Sequence, residues 1–494
     1  MSLAGYLDKG ASLGRDAPCL VEGDRTLSYG DVQDLSHRVA GALARDGVQP
    51  GGKVGILSSN NALAFACVFG IARRGAVWCP INPRNEMAEN RALLELYDCE
   101  FLIYHPGYAP MVEQLGIART VCIDDLQAWL GEPGGAADPV DDLAMLVGTG
   151  GTTGLPKGVM LTTRNLETMT AMTLVGYPFE GRPAYLALAP LTHAAGVLCF
   201  PVMASGGRIV VMPKPDVGAF LELIERERIT HTFLPPTLIY MLLGHEALDG
   251  TDLSSLQCFW YGAAPMSTAR LEEALTRIGP VMAQLFGQTE APMMVSMLPP
   301  ADHFNADGSV ATQRLASAGR PAPLVTVGIM DPETGALVEA GERGEIVVRG
   351  SLVMAGYYKN PEATEAASAG GWHHTGDIGY LDADGYLFIV DRLKDMIITG
   401  GFNVYSAEVE QALMQHPAVR DCAVVGLPDD KWGERVTAVI EPSADIEPDE
   451  LIAFVKARIG SVKAPKQIEL WHELPRSRVG KILKGDVKQE LLRG

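Results

Sequence analysis

The chain has 494 residues and a mass of 52.8 kDa, enough for two or more domains with buried cores, which excludes a peptide hormone or a disulfide-built miniprotein. Hydrophobic residues make up 47% and charged residues 20%, which excludes a disordered or collagen-like chain. Lys and Arg total 40 against 60 Asp and Glu, a net charge of −20 that repels a phosphate backbone, so no nucleic-acid partner is expected. The cysteines are scattered without a Cys-x-x-Cys pair, and the most apolar run, residues 62–72, meets Arg73 and Arg74 well short of a membrane span. A cytoplasmic enzyme with no integral membrane segment is the expectation.

In chain order, short β-rich runs alternate with segments of helical period. Strands are predicted at 53–57 and 76–81 around a helix at 61–73, and at 208–212 and 232–234 around a helix at 217–228. The same order recurs at 257–261, 268–278 and 282–286. Parallel sheets covered by helices follow from this alternation, an α/β class. Between residues 320 and 350 the pattern changes to close-set strands, 325–330 and 345–348, about a turn at 333–335, which reads as an antiparallel, barrel-like portion. The last hundred residues read as a small α+β unit. From Asp395 onward there are 13 basic and 16 acidic residues, so nearly all the net charge lies before it. There Ser406 is the expected N-cap of a helix with Glu408 and Glu410 in its first turn, ended by His416-Pro417. The boundary is placed between 1–393 and 394–494.

The segment Gly148-Thr149-Gly150-Gly151-Thr152-Thr153-Gly154-Leu155-Pro156-Lys157-Gly158 follows the apolar run 143–147. Glycines let backbone N–H groups turn toward an anion, hydroxyls add donors and the lysine adds charge, so the segment reads either as a phosphate cradle or as a flexible surface loop. It is not a Walker P-loop, because Pro156 precedes Lys157 and Gly158 follows it.

This loop resembles the phosphate-binding signature of the adenylate-forming superfamily, in its acyl-CoA synthetase branch. The resemblance continues in order through Pro190-Leu191-Thr192-His193, Tyr261-Gly262-Ala263-Ala264-Pro265, Phe286-Gly287-Gln288-Thr289-Glu290, Thr375-Gly376-Asp377, Asp391-Arg392-Leu393-Lys394-Asp395, Gly400-Gly401-Phe402-Asn403 and Arg478-Val479-Gly480-Lys481. It covers residues 143–484; the first 140 add only a compatible size. Two departures stand out: relatives often carry Tyr-Thr-Ser-Gly where this chain has Gly148-Thr149-Gly150-Gly151, and Phe286 replaces the commoner tyrosine.

The resemblance implies ATP, Mg²⁺ and coenzyme A, with residues in stated roles. Thr149, Gly150, Gly151, Thr152, Thr153, Gly154 and Lys157 would surround the phosphates, with Thr152, Thr153 and Lys157 on the triphosphate. Glu290 would bind Mg²⁺ and Thr289 would contact the α-phosphate. Asp377 and Arg392 would hold the ribose, while Gly262, Ala263 and Ala264 would lie on one face of adenine with Phe286 on the other, and Gly287 would also belong to the cofactor-binding set. Lys481 would bridge the carboxylate and α-phosphate oxygens. Lys394 would be the hinge of a mobile small domain, and Gly400 and Gly401 would line the thiol tunnel after rotation. Trp432, Lys463 and Lys466 are candidates for the CoA nucleotide.

His193 would gate the acid or the pantetheine path. The expected acid pocket, including Ala195, Val197, Trp260 and Met293, is apolar, and no carboxylate near His193 pairs an amino-acid ammonium. A hydrophobic monocarboxylate, fatty or aromatic, is the implied substrate. An acyl-AMP ligase loading a carrier protein and a non-catalytic nucleotide-binding protein stay open as alternatives, and a homodimer is compatible with either.

Overall fold

The computed structural model describes residues 1–149, 156–191, 194–476 and 482–493. Two large sheets form the bulk of the chain. In the first, the strand order is Gly356–Tyr357, Lys157–Thr162, Leu143–Thr149, Val77–Ile81, Lys53–Leu57, Cys99–Tyr104 and Thr120–Cys122. In the second it is Arg320–Pro321, Ala291–Leu298, Met282–Gln288, Cys258–Gly262, His231–Leu234, Ala184–Ala187, Arg208–Val211, Pro18–Glu22 and Arg25–Ser28. Both are parallel at the centre and antiparallel at an edge.

Burial explains the composition of the central elements. Every residue of Val77–Ile81 is buried, and the helix Ala62–Arg73, apolar on nearly all faces, packs inside a core that also takes side chains from both large sheets. Its start is fixed by Asn61, whose side chain accepts from Ala64 N at 2.9 Å. The helix Tyr29–Arg45 opens with a capping box between Ser28 and Asp31.

A four-stranded antiparallel sheet follows, in the order Val325–Met330, Gly344–Gly350, His373–Leu381, Leu387–Arg392. The smaller C-terminal domain has its own sheet, built on Val419–Asp429 and Gly433–Pro442, and a core drawn from residues 397–468. The helices Ser406–Leu413, Pro448–Lys463 and Lys484–Arg493 cover it. The chain is thus a mixed α/β protein of a large and a small domain. Among the described residues no helix is long and apolar enough to cross a membrane.

Candidate active site

The Gly/Thr-rich segment joins two antiparallel strands, Leu143–Thr149 and Lys157–Thr162, with Thr149 paired opposite Lys157. Gly150, Gly151, Thr152, Thr153 and Gly154 lie outside the described residues, but both arms are described. Lys157 opens the returning arm, and its ammonium sits 4.7 Å from the centre of the Tyr357 ring. The Tyr357 hydroxyl donates to Glu290 Oε1 at 2.8 Å, and Met354 N donates to the Glu290 carbonyl at 2.8 Å. Burial, and then the neighbouring Glu290 carboxylate, push the Tyr357 phenol above its usual range, so it stays a donor. Lys157, Tyr357 and Glu290 thus form one connected group. Nothing local to Tyr357 in sequence announces it; only the pairing of Gly356–Tyr357 with Met160 and Val159 brings it there.

Glu290 and Thr289 form the connection between the strands Met282–Gln288 and Ala291–Leu298. The backbone is crowded on both sides of this turn. A Cβ on Gly262 would meet Leu285 O at 2.3 Å, and one on Gly287 would meet Met293 N at 2.4 Å. Ala263 and Met293 hold positive φ values, 66° and 63°, in the left-handed region that non-glycine residues rarely adopt.

One residue before Thr289, Gln288 Nε2 donates to Thr375 O and to Asp377 Oδ2, both at 2.8 Å. Asp377 Oδ1 accepts from Arg392 Nε at 2.8 Å, and these two residues are direct cross-strand partners. The carboxylate is 6% exposed while the guanidinium is 46% exposed, so Arg392 presents a face outward from a buried anchor. Gln288 fixes this arrangement, a role that its place inside Phe286-Gly287-Gln288-Thr289-Glu290 does not reveal.

The expected acid wall divides. His193 lies outside the described residues. Ala195 and Val197 are buried on the helix Ala194–Ala204, and Met293 is half-buried beside Gly287. Trp260 has no exposed surface and packs against His231 at 5.2 Å, Tyr177 at 6.0 Å and Tyr185 at 6.1 Å between ring centres. It is a core residue rather than an open wall, and neither its Nε1 nor the Tyr185 hydroxyl has a hydrogen-bond partner among the described residues.

Burial drives His231 down to a pKa of about 3, so it is neutral in the fold. Its depressed pKa contributes stability above pH 6.5 that is lost as pH falls toward 3, amounting to about 2 kcal/mol at pH 5. His303, buried and held at about 4, acts in the same direction. His231→Phe is therefore expected to lose less stability than the parent chain between pH 7 and pH 5, measured by urea unfolding at the two pH values.

In the small domain, Lys394 lies in a short 3₁₀ turn, Leu393–Asp395, after the strand Leu387–Arg392. Gly400 and Gly401 form the turn of the hairpin Ile397–Thr399 with Phe402–Val404, at φ values of 58° and 81° that glycine accommodates. The structure thus accounts for the pair as a hairpin turn. Gly400 N donates to Trp432 O at 2.7 Å, and a Cβ there would lie 3.1 Å from the indole. Trp432 is partly exposed, with the Lys431 ammonium 4.6 Å from its ring centre.

Lys463 pairs with Glu408 at 2.5 Å. Lys466 donates to the carbonyls of Ser461, Val462 and Ala464, so it caps a helix end rather than offering a free charge to a nucleotide. Ser406 is the first helical residue, not the N-cap, which is Tyr405; the cap function passes to the Asp391 carboxylate, which accepts from the backbone N–H groups of Ser406 and Ala407. Lys481 lies outside the described residues. Its segment is bounded by the bridge between Arg476 and Ile482, and Arg476 is fixed by Asp421 at 2.7 Å and Glu441 at 3.0 Å.

The model of the AMP-binding enzyme family matches residues 7–358, and that of the AMP-binding enzyme C-terminal domain matches residues 408–481. The chain belongs to the AMP-binding enzyme family. A medium/long-chain-fatty-acid–CoA ligase, FadD8, from Mycobacterium tuberculosis is 37% identical, covering 97% of this chain and 88% of its own. A feruloyl-CoA synthase from an Amycolatopsis species is also 37% identical, covering 97% of both chains. Among solved structures, the amide bond synthetase McbA from Marinactinospora thermotolerans superposes with a TM-score of 0.91 at 30% identity, covering 99% of both.

This AMP-binding enzyme falls in the acyl-CoA synthetase branch, an adenylate-forming acid–thiol ligase. The two domain matches leave residues 359–407 between them, the stretch that carries Asp377, Arg392, Lys394, Gly400 and Gly401. The relatives cover 97% of the chain and the McbA structure covers 99% of it, so the likeness extends over that stretch as well.

Proposed function

We propose that the enzyme joins a hydrophobic monocarboxylic acid, fatty or aromatic, to coenzyme A in two half-reactions, through an acyl-adenylate. A carboxylate is a poor acylating agent because its leaving group would be oxide; transfer of AMP from ATP onto the carboxylate oxygen gives it a good one, breaking the bond between the α- and β-phosphates and releasing pyrophosphate. The first step brings two anions together, so it needs fixed positive charge and N–H donors where negative charge builds. The observation that carries this reading is the pair of connected groups flanking Gln288-Thr289-Glu290: Lys157–Tyr357–Glu290 on one side and Asp377–Arg392 on the other.

In this reading Lys157, with Thr152 and Thr153, holds the triphosphate, and Thr289 contacts the α-phosphate. Glu290 uses one carboxylate oxygen to accept from Tyr357 and is suited to Mg²⁺ with the other. Among the described residues no cluster of three acidic, His or Cys side chains is assembled. Magnesium needs none, since it is usually held by one or two carboxylates and the substrate's own phosphates, whose charge it neutralises. Asp377 and Arg392 take the ribose hydroxyls, and Phe286 faces the adenine across from Gly262, Ala263 and Ala264. Lys481 bridges the two reacting anions. Rotation of residues 394–494 about Lys394 then exchanges Lys481 for the Gly400–Gly401 turn, admitting the thiol, with Trp432 beside it.

The fatty-acid and feruloyl relatives support both acid classes, and the missing ammonium partner near His193 argues against amino acids. A panel of aromatic and C4 to C18 acids tests the proposal through AMP release. The reading predicts AMP and pyrophosphate with at least one acid, and thioester formation when CoA is the sole acceptor. AMP release that needs an added carrier protein contradicts the assignment of CoA.

A further inference from the structure

A buried polar cluster lies where the two domains meet, built entirely from described residues. Asp391, three residues before Lys394, accepts from the Ser406 and Ala407 backbone N–H groups and from Ser406 Oγ at 2.8 and 3.0 Å. A carboxylate on one side of the proposed hinge therefore caps the helix Ser406–Leu413 on the other, where free N–H groups and the helix dipole favour negative charge. Lys484, at the start of the C-terminal helix, places its ammonium 2.6 Å from Ser406 Oγ and 2.8 Å from Glu410 Oε1. Because Lys484 donates to that hydroxyl, the single hydroxyl proton of Ser406 is left for Asp391.

Both charges are largely withdrawn from water, with 19% of each side chain exposed. Burial pushes Glu410 up to a pKa of about 6 despite Lys484. Burial alone would lower Lys484, but Glu410 and Asp391 outweigh it and raise its pKa, so the ammonium persists. A second contact crosses at the same helix end. The Arg343 guanidinium lies 4.9 Å from the centre of the Tyr405 ring and 3.8 Å from Glu408.

We infer that Lys484 is a positioning residue, the centre of a latch of Asp391, Ser406 and Glu410 that holds the small domain in its adenylation orientation. In the present orientation the hairpin carrying Gly400 and Gly401 is turned to solvent, with Ile398 53% and Phe402 60% exposed. Rotation about Lys394 toward the thiol step must separate Ser406 from Asp391, leaving a buried carboxylate without its donors. The latch biases the equilibrium between two orientations, and a bias can move only as far as its differential interaction allows. The inference rests on the two-step reading above.

The test compares two rates in each variant: acid-dependent ATP–pyrophosphate exchange, and thioester formation from supplied acyl-AMP and CoA. Lys484→Met is expected to lower exchange about tenfold without lowering thioester formation, and Lys484→Arg to recover part of the loss. Arg343→Ala, on the partly exposed rim, is expected to shift the same ratio in the same direction by less. Equal loss of both rates in Lys484→Met, with an unchanged ratio in Arg343→Ala, overturns the latch. If Lys484→Met does not fold, the Arg343→Ala ratio decides: a shift supports the latch and none overturns it. The parent enzyme separates the two levels: thioester formation from an accepted acid with no acid-dependent exchange overturns the two-step reading itself, whereas a changed ratio in the variants bears on the latch alone.

Discussion

Lys481→Ala is expected to reduce acid-dependent pyrophosphate exchange by at least about 10²-fold, while thioester formation from supplied acyl-AMP is largely retained. The asymmetry follows from where charge builds. In the first half-reaction a carboxylate approaches a phosphate already crowded with negative oxygens, and a flexible ammonium can follow the charge between them. In the second, the acyl-adenylate is already formed and the entering group is a thiol, so that ammonium has no equivalent task. Lys481→Arg should recover little, because a planar guanidinium cannot occupy a point-charge position between two oxygens. Equal loss of both rates contradicts the assigned role.

Asp377→Ala is the second large effect. The buried carboxylate binds Arg392 through one oxygen and Gln288 through the other, so its removal costs the nucleotide its ribose acceptor and leaves two donors without their partner. The apparent affinity for ATP is expected to fall about 10- to 100-fold, and that for acyl-AMP with it, since both carry the same ribose. Folding stability should drop by about 1–3 kcal/mol. Asp377→Asn keeps the shape and a carbonyl acceptor, so it should lose less stability than affinity. Isothermal titration with AMP and urea unfolding of the same variants separate the two losses. Unchanged AMP affinity in Asp377→Ala excludes the ribose role.

Elements set by short-range pattern are legible in the amino-acid order itself. The helix expected at 61–73 and the strand at 53–57 agree with the fold within a residue or two, because apolar period and the Asn61 cap are local properties. The antiparallel sheet after residue 325 is likewise announced by its turn residues. Long-range pairing is not legible. The hairpin of Pro18–Glu22 with Arg25–Ser28 joins the second large sheet only because Leu20 pairs with Ile209 and Val21 with Val210. No nearby residue signals that partnership.

The site divides in the same way. Lys157 stands out because glycines surround it, whereas Glu290, Asp377 and Arg392 are named only through the ordered motifs that resemble the adenylate-forming superfamily. Tyr357 and Gln288 are assigned by neither, since their roles exist only once separate strands lie side by side. Trp260 belongs to an apolar wall by its position near Gly262, yet rings from Tyr177, Tyr185 and His231 close around it. Lys466 groups with nucleotide-binding cations because sequence shows its charge but not the three carbonyls that already use it.

The central claim is that the acid's own oxygen attacks the α-phosphate of ATP. Turnover of an accepted acid labelled with ¹⁸O in both carboxylate oxygens tests this, read by mass spectrometry of the AMP produced. The account predicts one labelled oxygen in the phosphate of AMP for each thioester formed. AMP without label, or thioester formed with ADP and inorganic phosphate in place of AMP, contradicts it.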